Sequence, residues 1–238
     1  MVSNQKTALI LGASGLTGGF CLKYLLDSNY YSSVIALVRT DLNIKHPKLK
    51  QVIVDFNNTA AMEQYYVDVD DVFCCLGSTI KKAGSQSAFR RVDFHIPTEA
   101  ANIASSHGVK QFLVISSAGA YNKSSNFYLR VKGEMEAGIS QFTFRAIHIF
   151  RPSLLMGTRR ENRPAEAFTK VISKLLSPVI GVFSSKLIIS IEASDLATAM
   201  VNVAQLGKEG KNIYSSAQIE KYIDKKTSAS QAVMSDIE

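Results

Sequence analysis

Short runs of consecutive apolar, largely β-branched residues recur along the chain, separated by segments of helical length. TALIL (7–11), SVIALVR (33–39), QVIVDF (51–56), VFCCLG (72–77), QFLVISS (111–117) and FRAIHIFR (144–151, stopped by Pro152) are the strand candidates. Segments 16–27, 87–107 and 126–140 between them predict helices. Runs with no polar alternation indicate strands covered on both faces, the condition of a parallel sheet. Strand and helix in alternation indicate right-handed βαβ units. The pattern therefore predicts an α/β fold with a doubly wound parallel sheet, whose ligands lie at the carboxyl ends of the strands. Gly108 is a C-cap candidate for the second helix, and Pro97 inside it predicts a fresh helix start or a kink, hence two pieces.

Past Arg151 the pattern loosens. Segment 166–175 reads as an amphipathic helix, KLIISI (186–191) as a strand, 193–206 as a helix capped by Ser194 or a neighbour, and NIYSS (212–216) as a last short strand. Asp195 is also a capping candidate. From Lys225 the chain is polar and weakly periodic, the pattern of a mobile tail. The expected organisation is one domain over 1–224, with 153–190 as a small substrate-side region and 225–238 as the tail. A chain of 238 residues is long for one average domain, but α/β folds of this size often stay undivided.

The formal net charge of +7 changes the picture little. The excess is scattered over Lys45, Lys48 and Lys50, Lys81 and Lys82, Arg90 and Arg91, Arg159, Arg160 and Arg163, and Lys225 and Lys226. A nucleic-acid partner would call for a concentrated stripe, so none is expected. A mild positive field does suit a phosphate-rich ligand. Cys21, Cys74 and Cys75 are odd in number, and two sit side by side in an apolar run, as buried thiols in a reducing compartment do. The four histidines show no metal-ligand spacing, and no metal is expected. With no secretory pattern at MVSNQKTALILG and no apolar stretch of about 20 residues, no membrane span is expected and the location is read as cytoplasmic.

The first chemical signal is Gly12, Gly15 and Gly18, a G-x-x-G-x-x-G pattern that leaves a strand and enters a helix. A sharp turn, a close backbone approach to a pyrophosphate and tight helix–strand packing each ask for a residue without Cβ. The free amides of the helix N-terminus then favour phosphates, so the turn predicts a dinucleotide site. The second strand ends in Arg39-Thr40, where an NAD-selective site would place a carboxylate. A guanidinium there can grip a 2′-phosphate, so NADP(H) is the expected cofactor, while the nearby Asp41 leaves NAD(H) open. Asp55, at the end of the third strand, reads equally as a partner of the adenine amine or as a helix-leading cap.

The second signal is Tyr128-x-x-x-Lys132, whose i and i+4 positions share a helix face. A phenol near its ordinary pKa of about 10 has to fall by roughly 2–3 units to act near neutral pH, and an adjacent ammonium favours this. Tyr222 and Lys226 repeat the spacing near the tail, but only the first copy opens the helix that follows the Ser116-Ser117 strand end. Ser117 is then expected to hold a substrate oxygen, Tyr128 to give or take the proton, and Lys132 to tune Tyr128 and bind the nicotinamide ribose. Ser116 completes a hydroxyl pair at the ligand-binding edge.

The passages LGASGLTGG, VFCCLGSTIKKAG, ISSAGA, KSSNFYLRVKGEMEA and FRPSLLMGTRRENRP together resemble the short-chain dehydrogenase/reductase superfamily, in its atypical and extended branches, and within it the Tat-interacting oxidoreductase-like proteins. The resemblance runs from about Thr7 to Tyr214. It implies NADPH binding at Ser14, Gly15, Leu16 and Thr17, at Arg39 and Thr40, at Gly77 and Ser78, and at Tyr128 and Lys132. It also implies that backbone from Pro152 to Leu155 faces the nicotinamide and that Arg163 touches a cofactor phosphate. Many relatives place an asparagine in the helix after the fourth strand as part of a proton relay. The segment here, VDFHIPTEAANIA, holds Asp93, His95 and Pro97 in its first half and names no such residue. Two functions follow as expectations. One is an NADPH-dependent reductase of a carbonyl-type small molecule; the other is an NADPH-binding regulatory protein that docks a protein partner. Substrate identity is expected to reside in 153–189.

Overall fold

The structure, a computed structural model, describes residues 6–156 and 190–223. The expected helix at 166–175, most of the strand at 186–191, Arg163 and the tail at 225–238 lie outside the described residues. Strand β1 (Lys6–Leu11) leads into α1 (Leu16–Asp27), β2 (Tyr31–Val38) and β3 (Leu49–Ile53), followed by a 3-10 helix at Ala60–Tyr65 and β4 (Asp71–Cys74). Next come α2 (Ile80–Ala83), α3 (Gln86–Arg90), a π turn at Arg91–His95 and α4 (Ile96–Ser106). The chain continues through β5 (Gln111–Ile115), α5 (Phe127–Ile139), β6 (Ala146–Arg151) and β7 (Leu154–Met156). Beyond the undescribed segment lie β8 (Ser190–Glu192), α6 (Ala193–Gln205), β9 (Gly210–Ser215) and α7 (Ser216–Glu220).

Seven strands form one sheet in the order β3-β2-β1-β4-β5-β6-β9, every pairing parallel. The order reverses between β1 and β4, which opens a crevice at their carboxyl ends. The unbroken apolar strands follow from two cores. Ala8 and Ile10 of β1 join Cys21, Leu22 and Leu25 of α1 and Met200 of α6 on one face. Leu9 and Leu11 join Ala100 and Ala104 of α4 and Met135 and Ile139 of α5 on the other. Each fully buried leucine, isoleucine or phenylalanine contributes about 1.5–3 kcal/mol of transfer free energy.

Several expected boundaries move. β3 starts at Leu49 and ends at Ile53, and the chain leaves the sheet once the Val54 amide has bonded the Val38 carbonyl at 2.9 Å. β4 and β5 end at Cys74 and Ile115, so Gly77, Ser116 and Ser117 lie past the last paired residues. The long helix at 87–107 is three pieces. Ser85 caps α3, the π turn follows, and Pro97 sits in the first turn of α4, directly after that turn. α6 starts after Glu192 with no side-chain cap, so Ser194 and Asp195 are first-turn residues and not caps. Short elements such as α2 and β7 carry too few residues for a periodic pattern to mark them.

A chain of buried polar groups crosses the sheet at the end opposite the crevice. Asp71 accepts from Tyr31 Oη at 2.8 Å and from Gln111 Nε2 at 2.9 Å. Gln111 Oε1 faces His148 Nε2 at 3.2 Å, and His148 Nδ1 faces Tyr214 Oη at 3.0 Å. An amide oxygen only accepts, so Nε2 carries the imidazole proton and Nδ1 accepts from the phenol. Burial holds His148 down at about 4, and it stays neutral at physiological pH.

Candidate functional site

The Gly12 turn sits where β1 meets α1. Gly12 has φ +84°, and the Gly15 amide bonds back to its carbonyl at 2.8 Å. A Cβ on Gly18 would lie 2.0 Å from the Gly12 carbonyl oxygen, which is how closely α1 seats against the turn. α1 starts at Gly15 with no side-chain cap and no acidic residue in its first turn. Its amides and the positive end of its dipole are therefore directed at the crevice without a built-in anion. A cradle closed to any Cβ, with an uncapped helix start above it, fits a dinucleotide pyrophosphate.

Two adjoining cavities continue from this turn. One reaches across β2 and β3 and is lined by Gly12, Ser14, Arg39, Asp55 and Arg91 among others. Arg91 is held in place by Glu99 at 2.7 Å and by the Phe56 carbonyl. Asp55 Oδ1 accepts from the Asn57 amide at 2.9 Å and from Asn57 Nδ2 at 3.0 Å, a local turn, while Thr59 stands at the cap of the 3-10 helix. Of its two readings, the helix cap does not occur. Thr40 and Gly18 line neither cavity; Gly18 acts beneath the turn.

The second cavity runs over β4, β5 and β6. Its walls bring together the α1 start (Gly15, Leu16, Thr17), the β4 exit (Gly77, Ser78), the β5 exit (Ser116, Ser117), Tyr128 and Lys132 of α5, and Pro152 and Leu155. Asn126 caps α5 by accepting from the Leu129 amide at 3.1 Å, which fixes the helix start at Phe127, one residue before Tyr128. The Tyr128 ring packs on the fully buried Phe89 with centroids 5.7 Å apart. The other Tyr-x-x-x-Lys copy is no part of this cavity: the Tyr222 ring packs edge-on against Tyr214 of β9 at 5.5 Å, the Tyr222 carbonyl accepts from Asn202 of α6 at 2.7 Å, and Lys226 lies outside the described residues.

Two side chains that matter here, Asp93 and Glu136, carry no role assigned from the sequence. Asp93 is fully buried in the π turn, and its Oδ1 meets Lys132 Nζ at 2.8 Å. Asp93 Oδ2 accepts from the Ser78 amide at 2.9 Å. Burial pulls the Lys132 ammonium down, but Asp93, with a smaller contribution from Tyr128, more than reverses this and holds it above the ordinary lysine value. Glu136, one turn beyond Lys132, accepts the Ser116 hydroxyl at 2.5 Å and both arms of Arg151, at 2.9 and 2.5 Å. Ser116 thus lines the cavity with its hydroxyl committed to Glu136, and it ties the β5 exit to α5. Among the described residues the Ser117 hydroxyl keeps a single long contact, donating to the Ala118 carbonyl at 3.3 Å. Cys75 belongs to the cavity wall beyond β4 and not, as its neighbour Cys74 does, to the buried strand.

Residues 12–155 match a family described as NAD(P)H-binding. Protein HTATIP2 of Rattus norvegicus is 39% identical over 165 residues, covering 68% of each chain. Protein FMP52-1, mitochondrial, of Scheffersomyces stipitis is 32% identical over 159 residues, covering 66% of this chain and 70% of its own. Among solved structures, MoeE5 in complex with UDP-glucose and NAD superposes with a TM-score of 0.67 at 17% identity, over 88% of this chain and 75% of that one. That likeness shows the fold. Several yeast relatives are named mitochondrial, which overturns the expected cytoplasmic location. The reason is that lacking a secretory pattern bears on export and does not separate cytoplasm from organelle. Among the described residues no helix is long and apolar enough to cross a membrane.

Proposed function

Because the chain belongs to the NAD(P)H-binding family, we propose that it is an NADPH-dependent oxidoreductase of the short-chain dehydrogenase/reductase type that reduces a carbonyl-type small molecule. The observation that carries this reading is the convergence of Ser117, Tyr128 and Lys132 on the cavity that starts at the uncapped end of α1. Bound there, the nicotinamide supplies a hydride. The Ser117 hydroxyl holds the carbonyl oxygen and the Tyr128 phenol donates the proton that the oxygen needs as it becomes an alcohol. Lys132 Nζ has three N–H donors. It pairs with Asp93 Oδ1 at 2.8 Å and donates to the Ile115 carbonyl at 3.4 Å, and its remaining donor capacity is open to the nicotinamide ribose. The pyrophosphate is placed on the amides of Gly15, Leu16 and Thr17, with Ser14, Gly77 and Ser78 at its flanks. Pro152 and Leu155 bound the nicotinamide.

The choice of NADPH over NADH rests on Arg39, which stands just past the β2 end and lines, together with Asp55, the cavity that the adenosine half would enter. A charge-assisted hydrogen bond is worth about 1.5–3 kcal/mol. Arg39→Ala is therefore expected to raise the Kd for NADPH by roughly tenfold or more and to leave that for NADH within about twofold. Fluorescence titration of both nucleotides measures this, and equal weakening of the two rejects the assignment. The reaction itself is tested by NADPH oxidation at 340 nm over a panel of aldehydes and ketones with the full chain. Tight NADPH binding with no oxidation by any member of the panel sinks the reductase reading.

A further inference from the structure

A lysine this deep in a protein ordinarily gives up its proton, because burial penalises the charged form. Lys132 is buried to 4% side-chain exposure and Asp93 to 0%, yet the two meet at 2.8 Å. Asp93 reaches this position because the chain takes a π turn at Arg91–His95 between α3 and α4, the widened turn carrying the buried Asp93. Its second oxygen is pinned by the Ser78 amide at 2.9 Å, so the carboxylate is held from the β4 exit as well as by its own turn. Gly77 adjoins the pair, since a Cβ added to it would lie 3.8 Å from Asp93 Oδ1 and 4.0 Å from Lys132 Nζ, and all three residues line the cavity.

We infer that Asp93 is a positioning residue on which the charge and the aim of Lys132 depend: the carboxylate keeps the buried ammonium protonated and directed at the ribose side of the cavity. Among the described residues no other group is placed to take over that task. From β4, Cys74 has its thiol pushed up to about 12 by burial and stays neutral; Cys75 is a thiol on the cavity wall. From α5, Tyr128 is a phenol, and Glu136 is engaged by Arg151 of β6. From α2, Lys82 lines the same cavity with a charge of the same sign. His95, at the end of the π turn, is exposed. With the Asp93 charge removed, burial opposes the Lys132 charge. This inference rests on the placement of Lys132 in the cofactor site proposed above.

Asp93→Asn keeps an acceptor for the Ser78 amide and removes the charge. Its test compares the parent, Asp93→Asn, Lys132→Met and the double variant, each as the full chain. In Asp93→Asn the Lys132 proton is lost below its ordinary pKa, so the protonated form favours unfolding. Stability then falls as pH drops from the ordinary lysine range toward the depressed value. Relative to the double variant, the melting temperature of Asp93→Asn is expected to rise from pH 6 to pH 9, while that of the parent relative to Lys132→Met does not. NADPH affinity in Asp93→Asn is expected to stay near the parent value at pH 6 and to fall roughly tenfold by pH 9, as one charged donor is lost. The 2′-phosphate titrates in every variant and cancels in the comparison. A pH-independent loss of affinity or melting temperature shows a merely structural role and overturns the inference. Should Asp93→Asn not fold, recovery of folding at alkaline pH supports it and failure to fold at every pH tested overturns it. If Lys132→Met binds NADPH as the parent does, the placement of Lys132 at the cofactor fails instead.

Discussion

Tyr128→Phe is expected to cut turnover of a carbonyl substrate by about 10²- to 10⁴-fold, the usual contribution of a positioned acid, and to leave NADPH affinity within roughly twofold. The separation is possible because the phenolic oxygen is not part of what holds the site together. The ring keeps its seat on Phe89, with centroids 5.7 Å apart, through its apolar body alone. The helix start is fixed by Asn126, and Lys132 is fixed by Asp93 and the Ile115 carbonyl. What phenylalanine lacks is the proton. The measurement pairs a fluorescence titration of NADPH with oxidation rates at 340 nm on the substrate that the parent reduces best. Undiminished rates would remove Tyr128 from the chemistry. A loss of affinity as large as the loss of rate would place its hydroxyl on the cofactor instead.

Residues legible from the sequence and residues that were not divide along a physical line. β1 was legible because burial on both faces leaves a mark in every residue: Ala8 and Ile10 fill one core and Leu9 and Leu11 the other. The dinucleotide turn was legible because a strand–helix junction seldom needs three glycines unless its backbone must come close to a ligand. Tyr128 and Lys132 were legible because helical spacing alone puts them on one face. Glu136 continues the same i+4 step, so the face Tyr128, Lys132, Glu136 was available in the residues and went unread. Asp93 was of a different kind. An ideal helix from 87 to 107 gives no reason to turn that carboxylate inward. The π turn that does so follows from the junction of α3, α4 and α5, a property of the packed molecule. The shift of β3 has a similar origin: Asp55 is drawn into a local turn with Asn57, and the edge strand ends before it. Ser116 and Ser117 both line the cavity past the end of β5, and it is the partners of their hydroxyls, set by the packed structure, that separate them. The hydroxyl of Ser116 goes to Glu136, and that of Ser117 stays with the cavity.

Gly133 is the position where a single added methyl is expected to do the most damage to the acid–base half of the site. By propensity alone, alanine in a helix interior would stabilise by roughly 1 kcal/mol. Packing reverses the sign. A Cβ at Gly133 would stand 2.2 Å from the Tyr121 carbonyl carbon, 2.3 Å from the Asn122 amide nitrogen and 2.6 Å from the Tyr121 Cα, all backbone atoms with no rotamer to yield. The segment it would strike is anchored at the same helix, since the Tyr121 amide bonds the Leu129 carbonyl at 3.1 Å and the Ser124 amide bonds the Tyr121 carbonyl at 3.0 Å. That segment leads directly into Asn126 and the cap that places Tyr128. Relief therefore requires the loop to lift off α5 or the helix to move, and either displaces the phenol. Gly133→Ala is expected to cost at least about 3 kcal/mol, the upper part of the range for overpacking, and to lower the melting temperature by about 10 °C for a chain of this size. Turnover falls with it, whereas NADPH affinity changes less, because the glycine turn is built on β1 and α1. Gly138→Ala on the same helix is the control: its nearest neighbour is the Thr98 Cγ2 methyl at 3.2 Å, a side-chain atom that can shift. Differential scanning calorimetry of the two variants decides the matter, and equal melting temperatures would mean that the 121–122 backbone yields where the structure gives it no room.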